Sequence, residues 1–352
     1  MSNTMINKVI TLVLCLGVCS NVFAGTIRSQ GSAGASQLLI PVGAKNIALG
    51  GSNVALSSGV DALWMNPAGT SALTSVAQVS VSNMTYLADI DVAYSGLVAN
   101  LGSIGTVGLS VKSLDFGDIP VTTAEETEGT GAFYSPSFMT ATANYSRPFA
   151  DNVRFGVNLK MVNEQILNTS ASGVAIDLGV QYKFKELPMH IGVALKNLGA
   201  RMEYRGSDME QTHTPENSES GTLSERFRIQ SQAFELPAQL DIGLSYTPIN
   251  GLDLMGSFTN NSFSSNVMAF SGKYSMSMFW VAGGMTTIRT IGDDSAFESD
   301  TWDDMTKGVY GATFGAGVTV PVGGLSLDVG YSMRTVTDYF DNNSVLELSL
   351  NF

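Results

Sequence analysis

A chain of 352 residues is long enough for two ordinary soluble domains or for one large barrel; its formal net charge of −13 argues against nucleic acid as a partner. Charged side chains make up only 14% and hydrophobic ones 44%, yet no window past residue 24 approaches the roughly 18 consecutive apolar residues of a spanning helix. If the chain enters a membrane, it must do so as strands.

Residues 1–24 read as a secretory signal, with Lys8 in the positive region, Val9 to Val18 as the apolar core and Val22-Phe23-Ala24 as a cleavage site before Gly25. Both cysteines, Cys15 and Cys19, fall inside it, so the exported chain is expected to have no disulfide, thiolate metal site or cysteine nucleophile. Val18 stands where a lipidated cysteine needs a small residue before it, which disfavours lipid attachment at Cys19.

Residues 25–75 match neither the signal nor the chain beyond residue 75. The stretch from Val42 to Leu73 is rich in Gly, Ala and Ser, nearly uncharged, and too weakly periodic for a long helix or a strand pair. It holds Gly43-Ala44, the run Ala48-Leu49-Gly50-Gly51, a lone Trp64 and Asn66-Pro67-Ala68, where the Asn side chain can cap a short helix whose first position suits Pro.

From residue 76 to 352, segments of about ten residues alternate apolar and polar, the dyad pattern of a membrane strand. Strands are predicted at 76–84, 90–99, 104–114, 137–147, 153–165, 172–184, 189–198, 234–247, 251–260, 265–275, 278–288, 309–320, 324–334 and 343–352, fourteen in all. Three of them share a motif that puts Asp and Gly on the polar face: Asp177-Leu178-Gly179, Asp241-Ile242-Gly243 and Asp328-Val329-Gly330. Every second link is tight, near 100–103, 148–152, 185–188, 248–250, 276–277 and 321–323. The links between are longer, and those at 115–136, 199–233 and 289–308 hold 17 of the 31 acidic residues. Tight turns on one rim and long acidic loops on the other point to a fourteen-stranded antiparallel transmembrane barrel bathed in outer-membrane lipid, with both chain ends on the tight-turn rim. Lys112, Arg154, Lys160, Lys183, Lys196 and Arg334 fall on the polar face and line the lumen. A lumen of that width needs water or a plug, and residues 25–75 are the segment of sufficient size. The organisation is therefore signal (1–24), hatch (25–75) and all-β barrel (76–352). Leu346, Leu348, Leu350 and Phe352 share one face of the last strand and resemble the signal for barrel insertion.

The inventory for chemistry is short. His190, on the lumen face, and His213, in a long loop, are the only histidines, and no Gly-x-Ser-x-Gly elbow accompanies them, so an enzyme is not expected. Without paired His or mature Cys, zinc is disfavoured, and no cofactor is expected. Asp293, Asp294, Glu298, Asp300, Asp303 and Asp304 offer the oxygens calcium prefers without the spacing of a calcium loop, and read as a solvated acidic loop.

Val42-Gly43-Ala44-Lys45, Ala48-Leu49-Gly50-Gly51, Val54-Ala55, Asp61-Ala62-Leu63 and Asn66-Pro67-Ala68-Gly69 resemble the N-terminal signature of the PorV/PorQ family of bacterial outer-membrane proteins. That family is similar in architecture to the FadL fatty-acid transporters, which carry Asn-Pro-Ala in an N-terminal hatch. The resemblance implies a FadL-like barrel in the outer membrane of a diderm bacterium. It implies as function either the docking of exported cargo proteins and secretion components, as in type IX secretion, or the passage of a hydrophobic ligand. The polar centre of the 199–233 loop suits docking better than capture of a greasy ligand.

Overall fold

The computed structural model describes residues 31–213, 225–289, 308–337 and 340–352. Among them, fourteen long strands form one antiparallel sheet: β1 (Ala77–Thr85), β2 (Asp91–Asn100), β3 (Thr106–Asp115), β4 (Ser137–Ala150), β5 (Val153–Ile166), β6 (Thr169–Lys183), β7 (Met189–Gly199), β8 (Gln239–Ile249), β9 (Leu252–Asn261), β10 (Asn266–Met276), β11 (Phe279–Arg289), β12 (Tyr310–Val322), β13 (Leu325–Val336) and β14 (Asn343–Asn351). Each pairs with the next in sequence, and β14 returns to β1 with Val81 opposite Leu348, which closes the barrel.

The sheet is inverted relative to a soluble one. Val81, Leu109, Leu159, Val174, Phe270, Phe314 and Leu348 stand exposed on the outer face, while Lys112, Asn158, Lys160, Asp177, Lys196, Asp241 and Glu347 are buried on the inner one. Strands alternate residues between faces, so this arrangement is stable only where the outside meets hydrocarbon.

Two strand boundaries differ from the sequence reading. β8 begins at 239 rather than 234, because Pro237 cannot donate to the ladder and Phe234 and Leu236 turn inward against Ala35, Leu38 and Met202. β5 and β6 run on to leave only Leu167-Asn168 as their turn on the long-loop rim, where a longer link is predicted. Asp208 from the 199–238 segment braces that turn, accepting from the Asn168 backbone N–H (2.9 Å) and side chain (3.0 Å).

Residues 31–75 lie inside the barrel as short turns and helices: a 3-10 turn at Ser36–Leu39, α1 (Ala44–Ala48), a turn at Asn53–Ala55, α2 (Gly59–Met65) and a turn at Pro67–Ala72. Gly50 and Gly51, at φ of 58° and 76°, end α1 in a conformation costly for any side-chain-bearing residue. The path begins at the long-loop rim, where the Gly31 N–H donates to the Phe263 carbonyl (3.0 Å) and Ala33 bridges Glu235. It ends at the tight-turn rim, where the Val76 N–H donates to Phe352 (2.9 Å). Of the expectation that both chain ends lie on the tight-turn rim, the Phe352 end is met, residues 31–35 lie at the long-loop rim, and the N-terminal end itself falls outside the described residues. Burial of Ala35 and Leu38 in an apolar cluster with Val162, Ala171, Met202 and Leu236 holds that segment at the opposite rim.

Candidate functional site

The hatch touches the wall where strand side chains vanish. A Cβ added to Gly96 would stand 2.5 Å from Val60, one on Gly108 2.7 Å from Leu63, one on Gly243 2.7 Å from Val54, and one on Gly315 2.5 Å from Ala48. Gly156 and Gly179 leave no such room either, meeting the Pro67 carbonyl and the Asn66 side chain. The abundance of glycine on the lumen face is thus a seat cut to the shape of residues 44–70.

The Asp-x-Gly repeat has the same logic, one level apart. Gly179, Gly243 and Gly330 admit Asn66, Val54 and Ala44 of the hatch, while the Asp two residues away on the same face holds a buried or half-buried lysine. Asp177 pairs with Lys160 (2.7 Å), Asp241 with Lys196 (2.7 Å) and Asp328 with the hatch's own Lys45 (2.9 Å). Such pairs add little net stability, since each charge is desolvated, but removing one partner leaves a stranded charge, so they fix position.

Asn66 is more than a cap. Its Oδ1 accepts from the Ala68 N–H (3.2 Å) with Pro67 at the first helical position, and its Nδ2 donates to the carbonyls of Val54 (3.0 Å) and Val180 (3.1 Å), tying two parts of the hatch to β6. Gln181 Nε2 adds a bond to Ser57 O (3.0 Å), and Asn158 Nδ2 one to Leu63 O (2.8 Å).

At the other side of the lumen, Glu347 of β14 accepts from the Ala44 N–H (2.6 Å) and from the Ser80 hydroxyl (2.7 Å). A Cβ on Gly43 would meet the Asp61 carboxylate at 2.7 Å and Glu347 at 3.5 Å, so this position brings two carboxylates close together. Burial, with the Glu347 charge beside it and Lys45 opposing, pushes Asp61 up to about 8. Burial works against the Lys45 charge, but Asp61, Asp328 and Glu347 outweigh it and raise its pKa. Glu347 as a hatch anchor is not legible in the sequence beyond being a lone acid in a strand otherwise polar through Ser and Asn.

Above α1 and α2 a cavity of about 180 Å³ remains between the hatch and the β7–β13 wall. Trp64, Ile47 and Leu39 form its hatch side, with Lys196 stacked over Trp64 at 4.4 Å, and Asp241, Gln239, Asn261, Tyr310 and Arg334 lie on the barrel side. Leu39 and Asn261 also line a second cavity of about 340 Å³ at the long-loop rim, bounded by Gly31, Pro237 and Phe263.

The structure brings Gly43, Ala44, Ala48, Gly50, Gly51, Trp64, Asn66, Pro67 and Ala68 together with the barrel wall. Leu346, Leu348 and Phe352 lie on the lipid face of β14. His190 sits half-buried on the lumen side of β7, opposite Lys183 and Ser245. The side chain of His213 and the acidic cluster from Asp293 to Asp304 lie outside the described residues. Among the described residues no group of three His, Cys, Asp or Glu is placed to hold a metal ion.

A closed fourteen-stranded wall around an N-terminal hatch defines a plugged transmembrane β-barrel. The fold is similar to that of a Pseudomonas aeruginosa FadL homologue (TM-score 0.55, 13% identity, covering 89% of this chain and 98% of that one). It is similar also to the Pseudomonas putida toluene transporter TodX (TM-score 0.58, 12% identity, 88% and 96%) and to the CymD monoaromatic hydrocarbon channel (TM-score 0.58, 12% identity, 89% and 98%). At such identities the likeness is one of fold. No curated protein matches the chain by sequence. The chain belongs to the uncharacterised protein family UPF0164, whose model matches residues 17–346.

Proposed function

We propose that this protein passes small molecules of partly hydrophobic character across the outer membrane of a diderm bacterium, with the long-loop rim facing outward and residues 31–75 as a displaceable plug. The chain reaches that membrane through a signal at residues 1–24 and inserts through the β14 face of Leu346, Leu348, Leu350 and Phe352. The observation that carries this reading is the pair of neighbouring cavities that share Leu39 and Asn261 in their linings, one at the long-loop rim and one against Trp64. The inner one stops at the hatch, so passage requires the hatch to shift. TodX and CymD, whose names give them aromatic hydrocarbons, have the same fold, which makes a ring-sized cargo the first to try. The test is uptake of radiolabelled toluene into proteoliposomes containing the purified protein. Entry above protein-free vesicles supports passage, and equal entry in both refutes it.

A second reading keeps the PorV/PorQ-like role, docking of exported proteins or secretion components. It is favoured by the strand pair Glu210–His213 and Glu225–Arg228 in the longest described loop, where Phe227 and Ile229 are exposed beside Arg226 and Arg228. If affinity capture from the native membrane recovers secreted proteins sharing a C-terminal domain while toluene entry is absent, docking replaces passage.

A further inference from the structure

We infer that the lumen cavity binds a single-ring organic acid, held through its anionic group by Arg334. This inference rests on the lumen being a ligand route and names the chemistry of what enters.

The buried cations of the lumen differ in what they face. Lys160 and Lys196 each have a carboxylate at 2.7 Å, and Lys112 donates to the Gln37 and Ile40 carbonyls (2.5 and 3.0 Å). Arg334 is 8% exposed and lines the cavity, yet among the described residues its Nε and Nη2 have no acceptor and it forms no ion pair. A guanidinium cannot shed its proton, so it cannot escape the cost of burial by turning neutral, as a lysine can. What its planar fork lacks is an oxyanion, which it is shaped to hold in two parallel bonds.

The group is also held in place for that task. The guanidinium stacks on the Tyr310 ring at 3.6 Å, and the Tyr310 hydroxyl is hydrogen-bonded to that of Tyr86 (2.6 Å). Opposite Arg334 in the β13–β14 ladder, behind the cavity lining, stands Asn343, fully buried with both amide atoms unpartnered among the described residues. Further along the cavity, Asp241 Oδ1 and Gln239 Oε1 are acceptors without donors. A ligand that meets both sets has an acidic group at one end and a hydroxyl at the other. The size is bounded too: about 180 Å³ is close to the ~150 Å³ of a cavity that takes benzene. Ile47, Ile288 and Trp64 offer apolar surface to the ring between those polar ends.

Isothermal titration of the detergent-purified protein tests this with 4-hydroxybenzoate as probe and p-cresol, in which a methyl replaces the carboxylate, as its neutral counterpart. The acid is expected to bind at least about tenfold more tightly, the scale of a charge-assisted hydrogen bond. Arg334→Met should abolish that preference and Arg334→Lys restore part of it, with heat-modifiable migration on gels showing that each barrel is folded. The comparison of ligands on the unaltered protein needs no variant. Equal binding of acid and cresol, or binding of neither while toluene still enters vesicles, overturns this inference and leaves the proposed passage standing. Loss of toluene entry with acid binding intact overturns the passage and not the site.

Discussion

Asn66→Ala removes a buried residue that joins two parts of the hatch to each other and to β6. The side chain is fully buried and makes three bonds of 3.0 to 3.2 Å, to Val54 O, Val180 O and the Ala68 N–H. At about 1 kcal/mol for each bond, the seated hatch should lose about 3 kcal/mol, which shifts its equilibrium with a released form by roughly a hundredfold. Strand pairing is untouched, since none of the three bonds belongs to a ladder. Hydrogen exchange followed by mass spectrometry should therefore show amides of residues 53–70 exchanging about a hundredfold faster, with those of β1 to β14 unchanged. Planar-bilayer recordings should show more frequent openings. Exchange at 53–70 equal to that of the unaltered protein would refute the claim that these bonds hold the plug, and loss of protection throughout the strands would show that Asn66 supports the barrel instead.

The same geometry sets further expected outcomes. Deleting residues 31–70 should leave a heat-modifiable barrel with greatly raised conductance, and unchanged conductance would remove the plug assignment. Gly179→Val should displace Asn66 and Pro67 from the wall and raise conductance, whereas Gly272→Ala, which would meet nothing nearer than 3.6 Å, should not. Asp61 titrates at about 8 when seated against an ordinary 3.8 when released, so the seated hatch binds the extra proton between those values. Its contribution favours the seat below about pH 4 and is lost as pH rises through about 8. The protection factors of residues 43–65, taken relative to the intrinsic exchange rate at each pH, should accordingly fall between pH 5 and pH 9, and Asp61→Asn should flatten that dependence. Asp241→Asn should strand the Lys196 charge and cost about 3–5 kcal/mol in thermal or denaturant unfolding, while replacing both with apolar residues should restore most of it.

The barrel was legible because strand chemistry is local: period-two alternation in β6, β8 or β14 can be read within ten residues. The hatch was legible by contrast with it, as a stretch that fits no such period. What the sequence could not show are contacts made across long separations. Glu347 anchors Ala44 from 303 residues away, and the Asp-x-Gly repeat is visible as a pattern while its meaning depends on which lysine each Asp meets. The same holds for residues 31–35: whether the hatch path starts high or low depends on Met202, Phe234 and Leu236 folding inward from a loop that reads as polar. Asn197 gave no advance sign of its role. It sits at φ 61° where the β6–β7 register shifts, and from there accepts from Lys160 and donates its N–H to Asp177.

The bond from the Ala44 N–H to Glu347 also sets an order of events. Residues 31–75 precede the wall, but one side of their seat belongs to β14, which exists as wall only after it has paired with β1. Contacts so far apart in sequence are the last to be rewarded in folding, because the whole intervening chain must close first. The Ala44 side of the seat is therefore completed only when β14 has paired with β1, whereas the Asn66 side, held by β5 and β6, can be occupied before that. The segment that fills the finished barrel thus has one side of its seat completed last, by a single carboxylate.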